Sequence, residues 1–303
     1  MVEQIKNNYI FYNKEHPIHI REYYLYVVDL FKKWLQINNT ATNIILGDYD
    51  YVFNNSNKTL KIDIQCEHTL VLEGGRSVEN NIFGETVYDN KRYLVRIDKY
   101  DYFNSLDYVI EYSLPNIENI IASKKFDTYI DKNIYIAPLF YNINFGNINN
   151  KNNIIGIFNR YTNARREDIL KELNNKSINY KIIEDCFDKN DLFHEYQNSK
   201  IIVNIHQTEH HHTFEELRVL PALCNGVIII SEDCPLKEKI PYSKYIIWCK
   251  YNEISETVKT VNEKYEQYYQ EIFINSDLKN ILTNMYKNNK FKNESSIINS
   301  WLS

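Results

Sequence analysis

Apolar positions follow two rhythms along this chain. From residue 154 onward, short β-type runs alternate with amphipathic stretches of helical period. The pattern predicts a strand at 154–158, a helix near 164–173, a strand at 180–183, a helix near 191–197, a strand at 201–205, a helix near 214–224, strands at 227–230 and 245–248, and a long helix near 253–272. Such alternation with short connections predicts a parallel, doubly wound sheet, because parallel neighbours need crossovers. The first half is less regular. Runs at 9–12, 43–46, 60–64, 93–97, 108–112 and 134–137 read as strands, and the stretches around Gly74-Gly75 and 78–89 as irregular insertions. A helix at 20–35 is carried by Tyr23, Leu25, Val27, Val28, Leu30, Phe31, Trp34 and Leu35, and a second at 117–123 follows Pro115.

Between the halves lies an Asn-rich connector, Asn142 to Asn153, with the composition of an exposed hinge. The expected division is an N-terminal α/β domain at 1–147, a second α/β domain at 148–275, and a helical tail at 276–303. That tail is amphipathic from Leu278, ends in Trp301-Leu302, and is expected to pack back on the first domain.

A length of 303 residues accommodates two domains with cores of their own, and 44% hydrophobic with 25% charged residues is the balance of a soluble globular protein. The net charge of -5 leaves no broad basic field, which disfavours nucleic-acid partners and makes any anion site local. No apolar run approaches the ~18 residues of a membrane span, and the N-terminus lacks an export signal. Five dispersed cysteines without a C-x-x-C pair read as reduced thiols, so the expected location is cytoplasmic. The 26 tyrosines sit beside inflated Asn, Ile and Lys, a bias of A+T-rich coding, and are read as mostly structural.

Candidate chemistry gathers where strands hand over to helices, because ligands of open parallel sheets bind beyond the carboxyl ends of the strands. Ile201-Ile202-Val203-Asn204-Ile205 runs into His206-Gln207-Thr208-Glu209-His210-His211-His212. Thr213-Phe214-Glu215-Glu216 then reads as a capping box, with Thr213 and Glu216 satisfying each other's amides. Glu215 has no such duty and is a candidate to face a ligand. Arg218 falls outside the core stripe of Leu217, Leu220, Leu223 and Cys224, and Pro221 removes an amide donor inside the helix. Imidazoles suit zinc, yet H-E-x-x-H is absent and three adjacent histidines converge poorly on one ion. A neutral histidine bonded to a phosphate or sugar hydroxyl is the preferred role. At the first strand's end, Asn159-Arg160 and Arg165-Arg166 bracket a helix start that offers unpaired amides to a diphosphate, unless the arginines only form a solvated first turn. There is no G-x-G-x-x-G.

In the first half, Glu67-His68 follows a strand and can position a hydroxyl or take its proton. Gly74-Gly75-Arg76 offers a tight turn with a cation, or simply a turn with a surface arginine, and Asp98 is a further carboxylate at a strand end. G-x-S-x-G is absent, which disfavours an acyl-transfer hydrolase.

Two α/β domains with a hinge, the arginine-rich first turn of the second domain, and the helix end Asn225-Gly226-Val227-Ile228-Ile229 resemble the GT-B glycosyltransferases, more narrowly their group 1 and spore-maturation-type branch. The resemblance is best over 154–248. In the first half it rests on Ile64-Gln65-Cys66-Glu67-His68-Thr69-Leu70-Val71 and Tyr108-Val109-Ile110-Glu111-Tyr112-Ser113. It implies two Rossmann-like domains facing a cleft, a UDP- or GDP-sugar as donor substrate, no obligatory cofactor or metal, and a carbohydrate, glycolipid or glycoprotein acceptor. Donor contacts would fall to Asn159, Arg160, Arg165, His206, Thr213, Glu215, Glu216 and Arg218, and acceptor contacts to Gly74, Gly75 and Arg76. Retention is the family expectation; an inverting enzyme would draw its base from His68, Glu67 or Asp98. One departure stands out: Pro221 occupies the place where many relatives put a glutamate on the ribose. That departure keeps open a catalytically silent module that binds a nucleotide or sugar, and the histidine loop keeps open a metal-dependent hydrolase.

Overall fold

The computed structural model describes residues 1–15, 18–37, 41–75, 83–152, 154–158, 164–184 and 186–289. The chain forms two compact units of mixed α/β structure, Met1–Ala137 joined by the chain from Tyr286, and Pro138–Met285. No helix among the described residues is long and apolar enough to cross a membrane. All five cysteines carry free thiols.

The first unit contains β1 (Val2–Ile5), β2 (Asn8–Phe11), α1 (Arg21–Ile37), β3 (Thr42–Leu46), β4 (Lys58–Gln65), β5 (Leu70–Leu72), β6 (Phe83–Tyr88), β7 (Lys91–Arg96), α2 (Tyr100–Ser105), β8 (Tyr108–Glu111), α3 (Leu114–Ser123), α4 (Asp127–Ile130) and β9 (Asn133–Tyr135). Its main sheet has the order β1-β2-β3-β4-β8-β9. Only β1 runs antiparallel, and β2 to β9 pair parallel. The helix expected at 20–35 buries Tyr23, Tyr24, Val27, Val28, Leu30, Phe31, Trp34 and Leu35. Its tyrosines also bond to the backbone at strand ends, Tyr23 Oη to the Ile136 carbonyl (2.6 Å) and Tyr24 Oη to that of Leu46 (2.7 Å).

The supposed irregular insertion is a correction. Its described residues include β6, which joins the flanking β5 and β7 in an antiparallel sheet of order β5-β7-β6, set between β4 and β8 in the chain. Leu70, Tyr93 and Val95 bury one face of it against Phe103, Leu106, Phe126 and Tyr129. Gly84 has to be glycine there, because a Cβ would lie 2.5 Å from that of Ser123. The outer strand hid its register behind exposed polar positions such as Glu85.

The second unit contains β10 (Ile154–Phe158), α5 (Ala164–Asn175), β11 (Lys181–Ile183), α6 (Lys189–Asn198), β12 (Ser199–Asn204), α7 (Glu216–Cys224), β13 (Ile228–Glu232), β14 (Ile247–Cys249), α8 (Ile254–Glu263) and α9 (Tyr265–Tyr269). All pairings are parallel, in the order β11-β10-β12-β13-β14. Counted within the sheet this is 2-1-3-4-5, one of the two common orders of doubly wound sheets, with its reversal between β10 and β12. A ligand site is therefore expected beyond the carboxyl ends of those two strands.

Three details depart from expectation. Tyr245 closes a 3-10 turn, Ser243–Tyr245, and strand pairing starts only at Ile247. The long helix at 253–272 is broken at Lys264, which leaves the helical region, and ends in a π turn at Gln270–Ile274. The last helix, α10 (Leu278–Asn289), straddles the two units, and Trp301-Leu302 lie outside the described residues.

Most described residues of the Asn-rich connector are exposed, but three of its groups are anchored in the second unit. Asn144 donates its amide to the Cys224 carbonyl (2.9 Å), and Lys151 Nζ donates to the carbonyls of Tyr196 (2.7 Å) and Asn225 (2.8 Å) at the ends of α6 and α7. Phe145 is buried against Phe273 while its carbonyl accepts from Tyr269 Oη (2.7 Å). Gly226, at φ +69°, passes so near that a Cβ would lie 2.0 Å from the Phe145 carbonyl oxygen. Polar composition conceals such anchoring, since one buried ammonium and one aromatic ring suffice for it.

Candidate functional site at the strand ends

Three arginines reach the carboxyl edge of the five-stranded sheet. Asn159 and Arg160 lie outside the described residues. Arg165 and Arg166 come from the first turn of α5, but not as a solvated turn. Arg166 stands on the buried stripe with Ile169, Leu170 and Leu173 and is only 7% exposed. Its Nη2 donates to the Ile205 carbonyl (3.4 Å), just past the end of β12. Burial first, then the positive charge of Arg218, pull its pKa down to about 10, against the opposing effect of Glu215.

Arg218 enters from α7. Its Nη1 donates to Asn204 Oδ1 (3.1 Å), and Nη2 lies 4.0 Å from Glu215 Oε2. Asn204 Nδ2 in turn donates to Ser231 Oγ (3.0 Å), so the last residue of β12 ties this guanidinium to β13. The two charges therefore meet at the end of the sheet's central strand, beside the reversal of strand order.

Arg165 is held differently. Its Nη2 donates to Glu232 Oε1, and its guanidinium carbon lies 3.9 Å from the Tyr251 ring centroid. Tyr251 Oη donates to the Arg165 carbonyl (2.7 Å), fixing the backbone as well. Glu232 ends β13, and its Oε2 accepts the His206 amide (3.1 Å). The His206 ring is buried, donates from Nε2 to the Asp233 carbonyl (3.0 Å) and stacks on His212.

The capping box is a second correction. α7 begins at Glu216, not at 214, and its first turn has no side-chain cap. The reason is Phe214, fully buried against Trp248 (5.1 Å between centroids), which draws Thr213 and Phe214 into the core before the helix starts. Glu216 is buried with Oε2 accepting from Tyr242 Oη (3.0 Å), and Thr213 is buried too. Glu215 is half-buried at the helix start, with Oε2 4.0 Å from Arg218 Nη2. Pro221 is buried inside α7, with its carbonyl accepting from Asn225 Nδ2 (2.8 Å).

The histidine loop closes on itself. Thr208 Oγ1 bonds to His211 Nδ1 (2.7 Å), His212 Nε2 donates to the Glu209 carbonyl (2.9 Å), and His210 Nε2 lies 3.3 Å from Glu209 Oε1. Among the described residues no group of three His, Cys, Asp or Glu side chains is arranged to hold a metal ion.

In the first unit, the end of β4 carries Glu67, exposed, and His68, half-buried. Buried Gln65 clamps this turn: its Nε2 donates to the Glu67 carbonyl (3.0 Å), its Oε1 accepts the Glu67 amide, and Arg96 Nε holds the His68 carbonyl (2.9 Å). Asp98 is half-buried beyond the end of β7. Gly74, at φ +90°, and Gly75, whose amide returns to Leu72 (3.0 Å), form an open turn; Arg76 lies outside the described residues. Burial, then the charges of Glu67, Glu111, Asp63 and Asp98, push the Cys66 thiol up to about 12, so four carboxylates surround this strand end.

Two of those carboxylates escaped the sequence reading. Asp63 accepts from Tyr102 Oη (2.8 Å), and burial raises its pKa. Glu111 is fully buried, with Oε1 accepting from the amides of Tyr112 (3.0 Å) and Ser113 (3.3 Å) and from Asn116 Nδ2 (2.9 Å). In the second unit Glu232 and Tyr251 were missed likewise, as was the burial of Arg166, which was read as either a ligand contact or a solvated first turn. The signal for Arg166 was its phase on the α5 stripe, and for Glu232 its place at the end of an apolar run.

No family model matches the chain. An uncharacterized protein of Acanthamoeba polyphaga mimivirus is 30% identical over 215 residues, which cover 66% of this chain and 72% of that protein. The chain belongs to the family of this mimivirus protein. Among solved structures, the wall teichoic acid polymerase TagF is similar over 86% of this member of the family and 75% of its own chain, at 11% identity and a TM-score of 0.33.

Proposed function

We propose that this chain is a glycosyltransferase of the GT-B kind, in which the second unit is a Rossmann-like domain holding a UDP- or GDP-sugar at its strand ends. The observation that carries the reading is the convergence of Arg166 and Arg218 at the end of β12. Burial and the neighbouring Arg218 both disfavour the charged form of Arg166, with Glu215 opposing them, and a bound diphosphate adds negative charge that favours it. Transfer then needs no metal: the acceptor hydroxyl oxygen bonds to the anomeric carbon, the bond from that carbon to the diphosphate breaks, and the arginines offset the charge growing on the leaving group. The hydroxyl proton passes to a base; Glu67, His68 and Asp98 of the first unit are the candidates for an inverting enzyme. The acceptor is a carbohydrate, glycolipid or glycoprotein.

A second reading is a silent nucleotide- or sugar-binding module, and buried Pro221 favours it, because the position that bears a ribose-binding glutamate in the resembling family is core here. Calorimetry with UDP and GDP, followed by transfer assays with a panel of nucleotide sugars, separates the readings. Binding that weakens in Arg218→Ala, together with turnover, supports the enzyme. Binding without hydrolysis or transfer selects the module, and no binding of either nucleotide removes both.

A further inference from the structure

We infer that Arg165 and the His206 amide form a phosphate subsite whose occupant in the ligand-free protein is the chain's own Glu232 carboxylate, which the ligand displaces. The inference rests on the donor-binding reading above, but on different residues from those that carry it. Glu232 spans three elements: it ends β13, takes the guanidinium from the first turn of α5, and takes the amide that follows β12. A guanidinium fork and a backbone N–H aimed at one point are donors that suit a phosphate oxygen pair as well as a carboxylate.

The slot does not depend on Glu232 for its shape. Arg165 lies flat on the Tyr251 ring, and Tyr251 Oη anchors the Arg165 backbone. The His206 amide is set by β12 on one side and by the ring's bond to the Asp233 carbonyl on the other. With the carboxylate swung aside, both donors stay where they are. The pair is not sealed from solvent, since the Arg165 side chain keeps 20% of its surface exposed and buried Glu232 keeps 11% of its own. A phosphate carries more charge than a carboxylate and presents more acceptor oxygens, so it competes on favourable terms. Glu232 thus sets the affinity: it lowers binding by occupying the donors, and keeps a positive pocket from standing open.

The test is UDP and inorganic pyrophosphate binding to the full chain and to Glu232→Gln, which keeps the shape and removes the charge. UDP affinity is expected to rise about tenfold, equivalent to ~1.4 kcal/mol, with pyrophosphate rising alongside. Unchanged or weaker binding in E232Q, while wild type binds UDP, overturns the inference and leaves the donor-binding reading standing. If neither protein binds UDP, GDP or pyrophosphate, both fall. Should E232Q fail to fold, the wild-type His206 amide resonance decides: it has to shift on UDP titration as its acceptor changes, and a static resonance under saturating UDP overturns the exchange.

Discussion

The two parallel sheets end in opposite chemistry. The edge at β4 and β8 of the first unit gathers Asp63, Glu67, Asp98 and Glu111 around a thiol, whereas the edge at β12 and β13 of the second brings in Arg165, Arg166 and Arg218. Both edges follow from one rule, that the irregular ends of parallel strands are where polar side chains can be held without breaking the ladder. The difference lies in how the carboxylates are used. Glu111 is locked by three N–H donors in a fully buried network, while Glu232 is held by one guanidinium and one amide at a partly open edge. On the proposed reading the acidic edge removes the proton and the cationic one holds the diphosphate, and the following substitutions test that division.

The largest effect is expected at the acidic edge. His68→Ala should lower kcat for transfer by about 10²- to 10⁴-fold, the usual contribution of a general base, with UDP affinity unchanged. A loss of affinity of similar size would mean that the two edges do not divide the work. Next comes Glu111→Ala. Three buried donors lose their acceptor, and the unfolding free energy should fall by about 3 kcal/mol, read from denaturant titration. A cost under about 1 kcal/mol would remove the contrast with Glu232. Arg218→Ala should weaken UDP binding by about 10- to 100-fold, the range for charge-assisted hydrogen bonds to a phosphate, with little change in stability because the side chain is partly exposed.

Much of this contrast was legible beforehand, and the failures have physical causes. The apolar, β-branched run at 227–230 announces a buried parallel strand, since both faces are covered and no polar alternation interrupts it. The site's address followed from such runs alone. What misled was local pattern read without the core: Thr213-Phe214-Glu215-Glu216 spells a capping box, yet burying Phe214 outweighs one cap and delays the helix to Glu216. For Arg166 the reading stayed open between a ligand contact and a solvated first turn, although its helical phase placed it with Ile169 and Leu173. Glu232 lay beyond the reach of motif reasoning, because its partners Arg165 and His206 are 67 and 26 residues away in sequence.

The smallest effect probes the far edge of the second sheet and serves as its control. Lys151 is buried between the last carbonyls of α6 and α7, and burial lowers its pKa from 10.5 to about 8. Above about pH 8 the native ammonium releases its proton while the unfolded chain keeps it, so the unfolded state binds more protons and stability from this group rises with pH. Buried thiols act in the opposite sense: Cys224, raised from 9.0 to about 12, keeps its proton in the native state, and stability falls once the unfolded thiol ionises near pH 9. Between pH 8 and 9 the lysine alone adds a slope of at most about 1.4 kcal/mol per pH unit, which the five raised thiols oppose, so its contribution is read as the difference between two proteins that share those thiols. Lys151→Met should remove that rise in a comparison of denaturation midpoints at pH 7, 8 and 9, and parallel profiles for the two proteins would show that the ammonium is not the titrating group. The same variant should bind UDP as wild type does, because the connector clasp touches the amino-terminal side of β13 and the arginines its carboxyl end. If K151M instead loses binding together with stability, the effect of Arg218→Ala reports loosening of the unit rather than loss of a phosphate contact.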